Sequence, residues 1–247
     1  MIDELLRKHR LVSDQVDPRE LKVILREFLR VLENDIDGDA VELGCYKGTT
    51  SLFLARILEK YNASVGHFSS RDRLFGRQKG ERDLPVTTGE MSVSSEKNDT
   101  EKTYRKLYLY DSFAGLPEKT TPDNSRVGDN FKAGELAATK SELIRNFKKE
   151  NLTLPIIKKA WFKDLTDSDM PNKIAFAFFD GDFYESIRDS FRVTAPQFAP
   201  HVTIVIDDYQ NEALPGAARA TDEWLRQNST RVKNFRVEQS LGIIYLK

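Results

Sequence analysis

FAFFDGDFYES (176–186) and TIVIDDY (203–209) decide the fold of this chain. Each is a short apolar run of strand-forming residues that stops abruptly at paired acids, Asp180 and Asp182 in one, Asp207 and Asp208 in the other. Runs of this kind, followed by helical segments and not by hairpin turns, read as buried parallel strands. In open α/β sheets ligands sit outside the carboxyl ends of the strands. Four carboxylates released there by neighbouring strands make a hard-oxygen site suited to Mg²⁺ or a similar cation.

Outward from that pair, strand and helix alternate. PRELKVILREFLRVLEN (18–34) opens with Asp17 as N-cap and Pro18 in the first turn, and its apolar residues recur at helical spacing. A strand then ends near Glu42, and GTTSLFLARILEKY (48–61) reads as a helix packed on the sheet. Leu107–Tyr110 is a strand ending at Asp111. Helices follow at 139–150, around 184–194 and from Ala213 onward, with a short strand in LPIIKKAWFKDL between the first two. NFRVEQSLGIIYLK (234–247) closes the chain as two strands. The pattern predicts an α/β fold with a doubly wound, mostly parallel sheet and an antiparallel C-terminal edge.

At 247 residues, one domain (1–247) is expected, with residues 1–37 as an N-terminal helical extension. Residues 62–103 carry no sustained period and read as a polar insertion, either a solvated loop or a flap over a site. With 38 basic and 39 acidic residues the net charge is −1, which argues against general nucleic-acid binding. The single Cys45 excludes a disulfide framework, and the three histidines have no metal-ligand spacing. No leader-like or membrane-length apolar run occurs, so a cytoplasmic protein is expected.

VELGCYKGTT (41–50) places Gly44 and Gly48 between a buried strand and a helix N-terminus. Such a turn lets backbone approach a ligand, and the free N–H groups favour an anion or carboxylate. The G-x-x-x-G spacing does not fit a dinucleotide pyrophosphate, and a plain tight turn explains it equally well. Asp111 adds to it. In nucleoside-binding βαβ units an acid about 20 residues past the glycines holds the ribose hydroxyls. Asp111 is 67 positions from Gly44, and setting aside the 42 residues of 62–103 leaves 25. Its plain alternative is a cap of the following turn.

Together, ELGCYKGTT, YDSFAGLPE, FFDGDFYES, IVIDDY and LPGAARATDEWL, in this order, resemble the macrocin O-methyltransferase (TylF-like) family. The resemblance runs from about residue 38 to 247, the insertion excepted. It implies a class I, Rossmann-like methyltransferase fold, with S-adenosylmethionine and Mg²⁺ as cofactors. The implied reaction is O-methylation of a sugar, sugar nucleotide or glycosylated small molecule. A small-molecule acceptor, no nucleic acid and no membrane are implied as partners, and a homo-oligomer is compatible. By resemblance Glu42, Gly44, Tyr46, Gly48 and Thr50 border the cofactor's methionine and ribose. Asp111 holds the ribose diol, with Ser112 and Phe113 beside the adenine. AWFKDL adds Trp161, Phe162 and Asp164. Asp180, Asp207 and Asp208 correspond to metal ligands and Asp182 to the general base.

Other relatives place a His or Lys where Phe183 stands, and a Gly-Gly turn where Pro200-His201-Val202 stands, a change expected to alter only a loop. Alternatives remain for individual residues. Asp207-Asp208 and Asp182 also suit helix capping, and Trp161 and Phe162 suit a core. FFDGD shares the Asp-x-Asp spacing of metal-dependent phosphohydrolases, and a non-catalytic cofactor-binding scaffold is a third class.

Overall fold

The computed structural model describes residues 1–65, 104–128 and 130–247. Among these residues seven strands form one sheet in the order β3-β2-β1-β4-β5-β7-β6. β1 (Asp39–Leu43), β2 (Leu107–Asp111), β3 (Ile156–Lys159), β4 (Ile174–Phe179) and β5 (Phe198–Ile206) are parallel. β7 (Leu241–Leu246) runs antiparallel to β5, and β6 (Val232–Glu238) pairs antiparallel on its far side. The C-terminal pair is therefore the antiparallel edge expected from sequence.

Helices cover both faces because the strands are apolar on both. Phe176 and Phe178 of β4 pack with α2 (Pro18–Glu33), α3 (Thr49–Ser64) and α4 (Lys140–Lys149). Ala177 and Phe179 face α5 (Tyr184–Thr194) and α6 (Pro215–Gln227). A further short helix, α1 (Ile2–Lys8), inserts Leu5 into the first of these layers. Asp17 caps α2, accepting from the Arg19 N–H at 2.8 Å. Among the described residues no helix is long and apolar enough to cross a membrane.

Two local expectations change. α3 runs on to Ser64, so residues 62–64 are helical and the remainder of the 62–103 insertion lies outside the described residues. Pro200-His201-Val202 is not a loop: it belongs to β5, where His201 has φ +64° and the β4–β5 register shifts between Ile174 and Phe176. Pro tolerates such a bulge because it asks nothing of the ladder. Gly242 lies inside β7, where Tyr209 packs close enough that a side chain would crowd it.

The strand order reverses between β1 and β4, whose crossovers leave on opposite faces. Leu43 pairs with Tyr110 on one side and Phe179 on the other, and Phe179 pairs with Ile206. The next residues, Gly44, Asp111, Asp180 and Asp207, therefore emerge in one row at the switch point, where a ligand crevice opens.

Candidate active site

Each member of that row is fixed by backbone. The Gly44 N–H donates to Tyr110 O at 2.9 Å, Asp180 N–H to Leu43 O at 2.8 Å, and Asp207 N–H to Phe179 O at 2.8 Å. Gly44 must be glycine: its φ is +92°, and a Cβ would lie 1.8 Å from the Asp180 carbonyl oxygen. Strain gathers here too. Tyr46, Phe113, Asp182 and Asp208 all have positive φ (+45°, +50°, +58° and +56°), and each stands one to three residues past a strand end. Such outliers persist where surrounding structure over-determines them, as at ligand sites.

A cavity of about 240 Å³ opens above the row. Its floor holds Asp180, Asp182, Asp207 and Asp208. One carboxylate oxygen from each of Asp180, Asp207 and Asp208 lies within 4.8 Å of the others. Burial, then the charge of Asp207, pushes the Asp180 carboxyl well up; burial and Asp208 do the same to Asp207. Burial raises Asp208 as well, although Asn211 Nδ2, donating to its Oδ1 at 2.8 Å, works the other way. Asp182 is pushed up to about 8 by burial and then by Asp208. Among the described residues no hydrogen bond reaches the Asp180 or Asp182 carboxylates. Carboxylates this close are costly unless a cation offsets them, and an all-carboxylate set is the donor chemistry of a hard divalent ion.

The other end of the cavity is shaped by Asp111. Its Oδ2 accepts from the Cys45 and Tyr46 N–H groups, both at 2.9 Å, and its Oδ1 from the Phe113 N–H at 2.6 Å. The carboxylate thus locks the turn after β1 to that after β2, and it still borders the cavity with Tyr46 and Ser112. Trp161 and Phe162 supply an aromatic wall. Arg192 of α5 holds that wall, donating to the carbonyls of Phe162 (3.0 Å), Lys163 (3.2 Å) and Leu165 (3.3 Å).

Of the residues singled out from sequence, Tyr46, Asp111, Ser112, Trp161, Phe162, Asp180, Asp182, Asp207 and Asp208 converge on this cavity. The others stand outside it. Glu42 is 1% exposed behind the turn, accepting from Ser51 Oγ at 2.6 Å. Burial pushes it up to about 8, partly opposed by that bond. Gly44 and Gly48 shape the turn from below. Thr50 and Phe113 are buried, and Asp164 is exposed on a 3-10 turn. Cys45 is a buried free thiol.

Two further groups of residues line the cavity. Gln15 and Glu20 come from the N-terminal extension, Glu20 held by the Ser240 hydroxyl. Leu116, Pro117, Phe131 and Leu136 come from the segment after β2. Leu116 and Pro117 belong to the YDSFAGLPE motif quoted above, whereas no motif marks Gln15 or Glu20. The only signal is that α2 begins with an acid on its first turn.

A family model of macrocin-O-methyltransferase (TylF) matches residues 87–243. The chain is 25% identical over 193 residues to 8-demethyl-8-(2,3-dimethoxy-alpha-L-rhamnosyl)-tetracenomycin-C 4'-O-methyltransferase of Streptomyces olivaceus, covering 76% of this chain and 59% of that protein. It is 24% identical over 201 residues to demethyldecarbamoylnovobiocin O-methyltransferase of Streptomyces niveus, covering 78% and 60%. The chain thus spans about three fifths of the length of these curated relatives. Among solved structures, the O-methyltransferase NovP superposes with a TM-score of 0.69 at 20% identity, over 94% of this chain and 81% of that one. Calicheamicin methyltransferase CalS11 gives 0.58 at 15%, over 99% and 89%. These likenesses establish the class I methyltransferase fold.

Proposed function

The chain belongs to the macrocin O-methyltransferase (TylF) family, and from that premise we propose that it is an S-adenosylmethionine- and divalent-metal-dependent O-methyltransferase. Its acceptor is a hydroxyl on a neutral, sugar-bearing small molecule. The observation that carries this reading is the convergence of Asp180, Asp207 and Asp208 at the ends of β4 and β5, with Asp182 beside them.

Asp180, Asp207 and Asp208 would hold Mg²⁺, whose role when bound is to orient a hydroxyl and lower its pKa. S-adenosylmethionine, when bound, supplies the methyl on a sulfonium, so the protein's task is in-line positioning. Asp111, already tied to both turns, would receive the ribose diol with Tyr46 and Ser112, and Trp161 and Phe162 would flank the adenine. Glu42 supports the turn from behind, and Gly44 keeps it open. Asp182 takes the proton of the acceptor hydroxyl, a role that needs only reach and a suitable proton affinity. The segment over the cavity keeps water out.

Charge narrows the acceptor. The lining carries six carboxylates, Glu20, Asp111, Asp180, Asp182, Asp207 and Asp208, and among the described residues no Lys, Arg or His. A divalent ion and a sulfonium leave this cavity negative. A diphosphate-bearing acceptor would find no cationic side chain among the described lining residues, which favours a glycosylated small molecule over a sugar nucleotide. The same lining weighs against the phosphohydrolase reading. The relatives above are named for O-methylation of a rhamnosyl tetracenomycin and of demethyldecarbamoylnovobiocin, in keeping with this substrate class.

Mn²⁺ titration followed by electron paramagnetic resonance tests the carrying observation. One ion bound per chain, and none in Asp207→Ala, is expected. Equal binding by both proteins, or by neither, would overturn the assignment.

A further inference from the structure

The segment after β2 reaches over the cavity, yet its stretch 118–128 has one 3-10 turn, Thr121–Asp123, as its only regular element. One of its fastenings is Asp123, a carboxylate 2% exposed. Its Oδ2 accepts from the Thr120 N–H and hydroxyl, both at 2.8 Å. Its Oδ1 accepts from the Tyr184 N–H at 2.7 Å, across 61 positions of sequence. Tyr184 is the first residue of α5, and the N-cap Phe183 has no side-chain acceptor to offer. Asp123 therefore supplies from a distance an acceptor for a first-turn N–H that has no partner within the helix.

The surroundings are built for this contact. Gly216 in the first turn of α6 leaves the necessary space: a Cβ there would lie 1.9 Å from Asp123 Oδ1 and 2.6 Å from the Tyr184 nitrogen. Arg219 of α6 donates to the Pro122 carbonyl at 2.5 Å, and Ser125 Oγ to the Glu212 carbonyl at 2.6 Å. Phe183 packs beneath the cover with Leu116 and Leu214, and Phe131 and Leu136 lean on them.

Tyr184 directly follows the turn that presents Asp182. There the Phe183 N–H donates to the Gly181 carbonyl at 2.6 Å, with Asp182 at φ +58° between them. A three-residue turn with a left-handed, non-glycine centre is strained and holds only when both ends are fixed. β4 fixes one end. Asp123 fixes the other.

We propose that Asp123 is a positioning residue of this site: one buried carboxylate joins the cover to the Asp182 turn, so a contact that helps to hold the cover also aims Asp182. The inference rests on the function proposed above only for the role of Asp182; the tether itself is independent of it.

The test compares the wild-type chain with Asp123→Ala, Asp123→Asn and Gly216→Ala. Ala removes the acceptor. Asn keeps an oxygen for the Tyr184 N–H while losing the Thr120 side. Gly216→Ala forces a methyl into the position of Oδ1 without changing a polar group, and it keeps the test open should Asp123→Ala fail to fold. Hydrogen exchange at the Tyr184 amide should accelerate by at least about tenfold in Asp123→Ala and Gly216→Ala and stay near wild type in Asp123→Asn. The kcat for methyl transfer should fall about 100-fold in the same two variants, with acceptor KM changed less than about threefold. Unchanged exchange, a change in KM alone, or Asp123→Asn behaving like Asp123→Ala would each overturn the proposal. If no acceptor is methylated even by wild type, the proposed function fails while the exchange arm still decides the tether.

Discussion

Replacing Glu42 by Gln should stabilise this protein at high pH. Glu42 sits inside β1, facing α3, with Ser51 Oγ at 2.6 Å as its hydrogen-bond donor. Its carboxyl titrates near 4.5 when unperturbed and is pushed up to about 8 in the fold, chiefly by burial. Because the folded value is the raised one, folding takes up a proton between those limits. The contribution of Glu42 to stability is intact below pH 4.5 and is lost as pH rises towards 8. At about 1.4 kcal/mol per unit the limit is about 5 kcal/mol, and relaxation and water entry bring it to about 2–4 kcal/mol. Gln keeps the volume and an oxygen for the Ser51 hydroxyl, and it carries no charge at any pH.

Urea unfolding of both proteins at about pH 5 and about pH 8 reads this directly, because the cavity aspartates contribute equally to each. The two should match within about 1 kcal/mol at the lower pH, with Glu42→Gln ahead by about 2–4 kcal/mol at the higher. Affinity for S-adenosylhomocysteine should stay within about threefold, since Glu42 does not line the cavity. A variant no more stable than wild type at the higher pH would refute the reasoning. So would an advantage of the same size at both.

Three other substitutions separate the parts of the site. Gly44→Ala sets a methyl 1.8 Å from the Asp180 carbonyl and should cost more than about 3 kcal/mol in urea unfolding; a loss under about 1 kcal/mol would mean that the β1–β4 contact yields. Asp111→Ala strips the acceptor from three backbone N–H groups and should weaken S-adenosylhomocysteine binding by at least about 30-fold. Mn²⁺ affinity of that variant should change less than about threefold, and a joint loss of both would show that the two ends of the cavity are not separable. Asp207→Ala should lower methyl transfer at least about 1,000-fold while cofactor affinity holds within about threefold. Retained turnover would contradict the metal assignment.

Much of this site was legible because its chemistry lies at strand ends. Apolar runs that stop at Asp180 and Asp207 reveal both the buried strand and the carboxylate row beyond it, since parallel register aligns residues that end their strands together. Asp111 was legible as the residue at the end of its strand, although its three backbone hydrogen bonds were not. The resemblance set Glu42 beside the cofactor, whereas it lies behind the turn on Ser51; in a strand buried on both faces, alternation carries no signal of which way an acid points. Pro200 and His201 read as a loop because a bulge inside a strand has the composition of a turn. Glu20 and the Asp123–Tyr184 contact were invisible for another reason. Glu20 meets Ser240 across 220 positions and Asp123 meets Tyr184 across 61, and no local period records such contacts.

Calorimetric titration of metal-stripped protein with S-adenosylhomocysteine, with and without Mg²⁺, tests the central claim most directly. Micromolar binding in both conditions is predicted, because Asp111, Tyr46 and the aromatic wall stand apart from the three metal-binding aspartates. No binding in either condition would contradict the methyltransferase account.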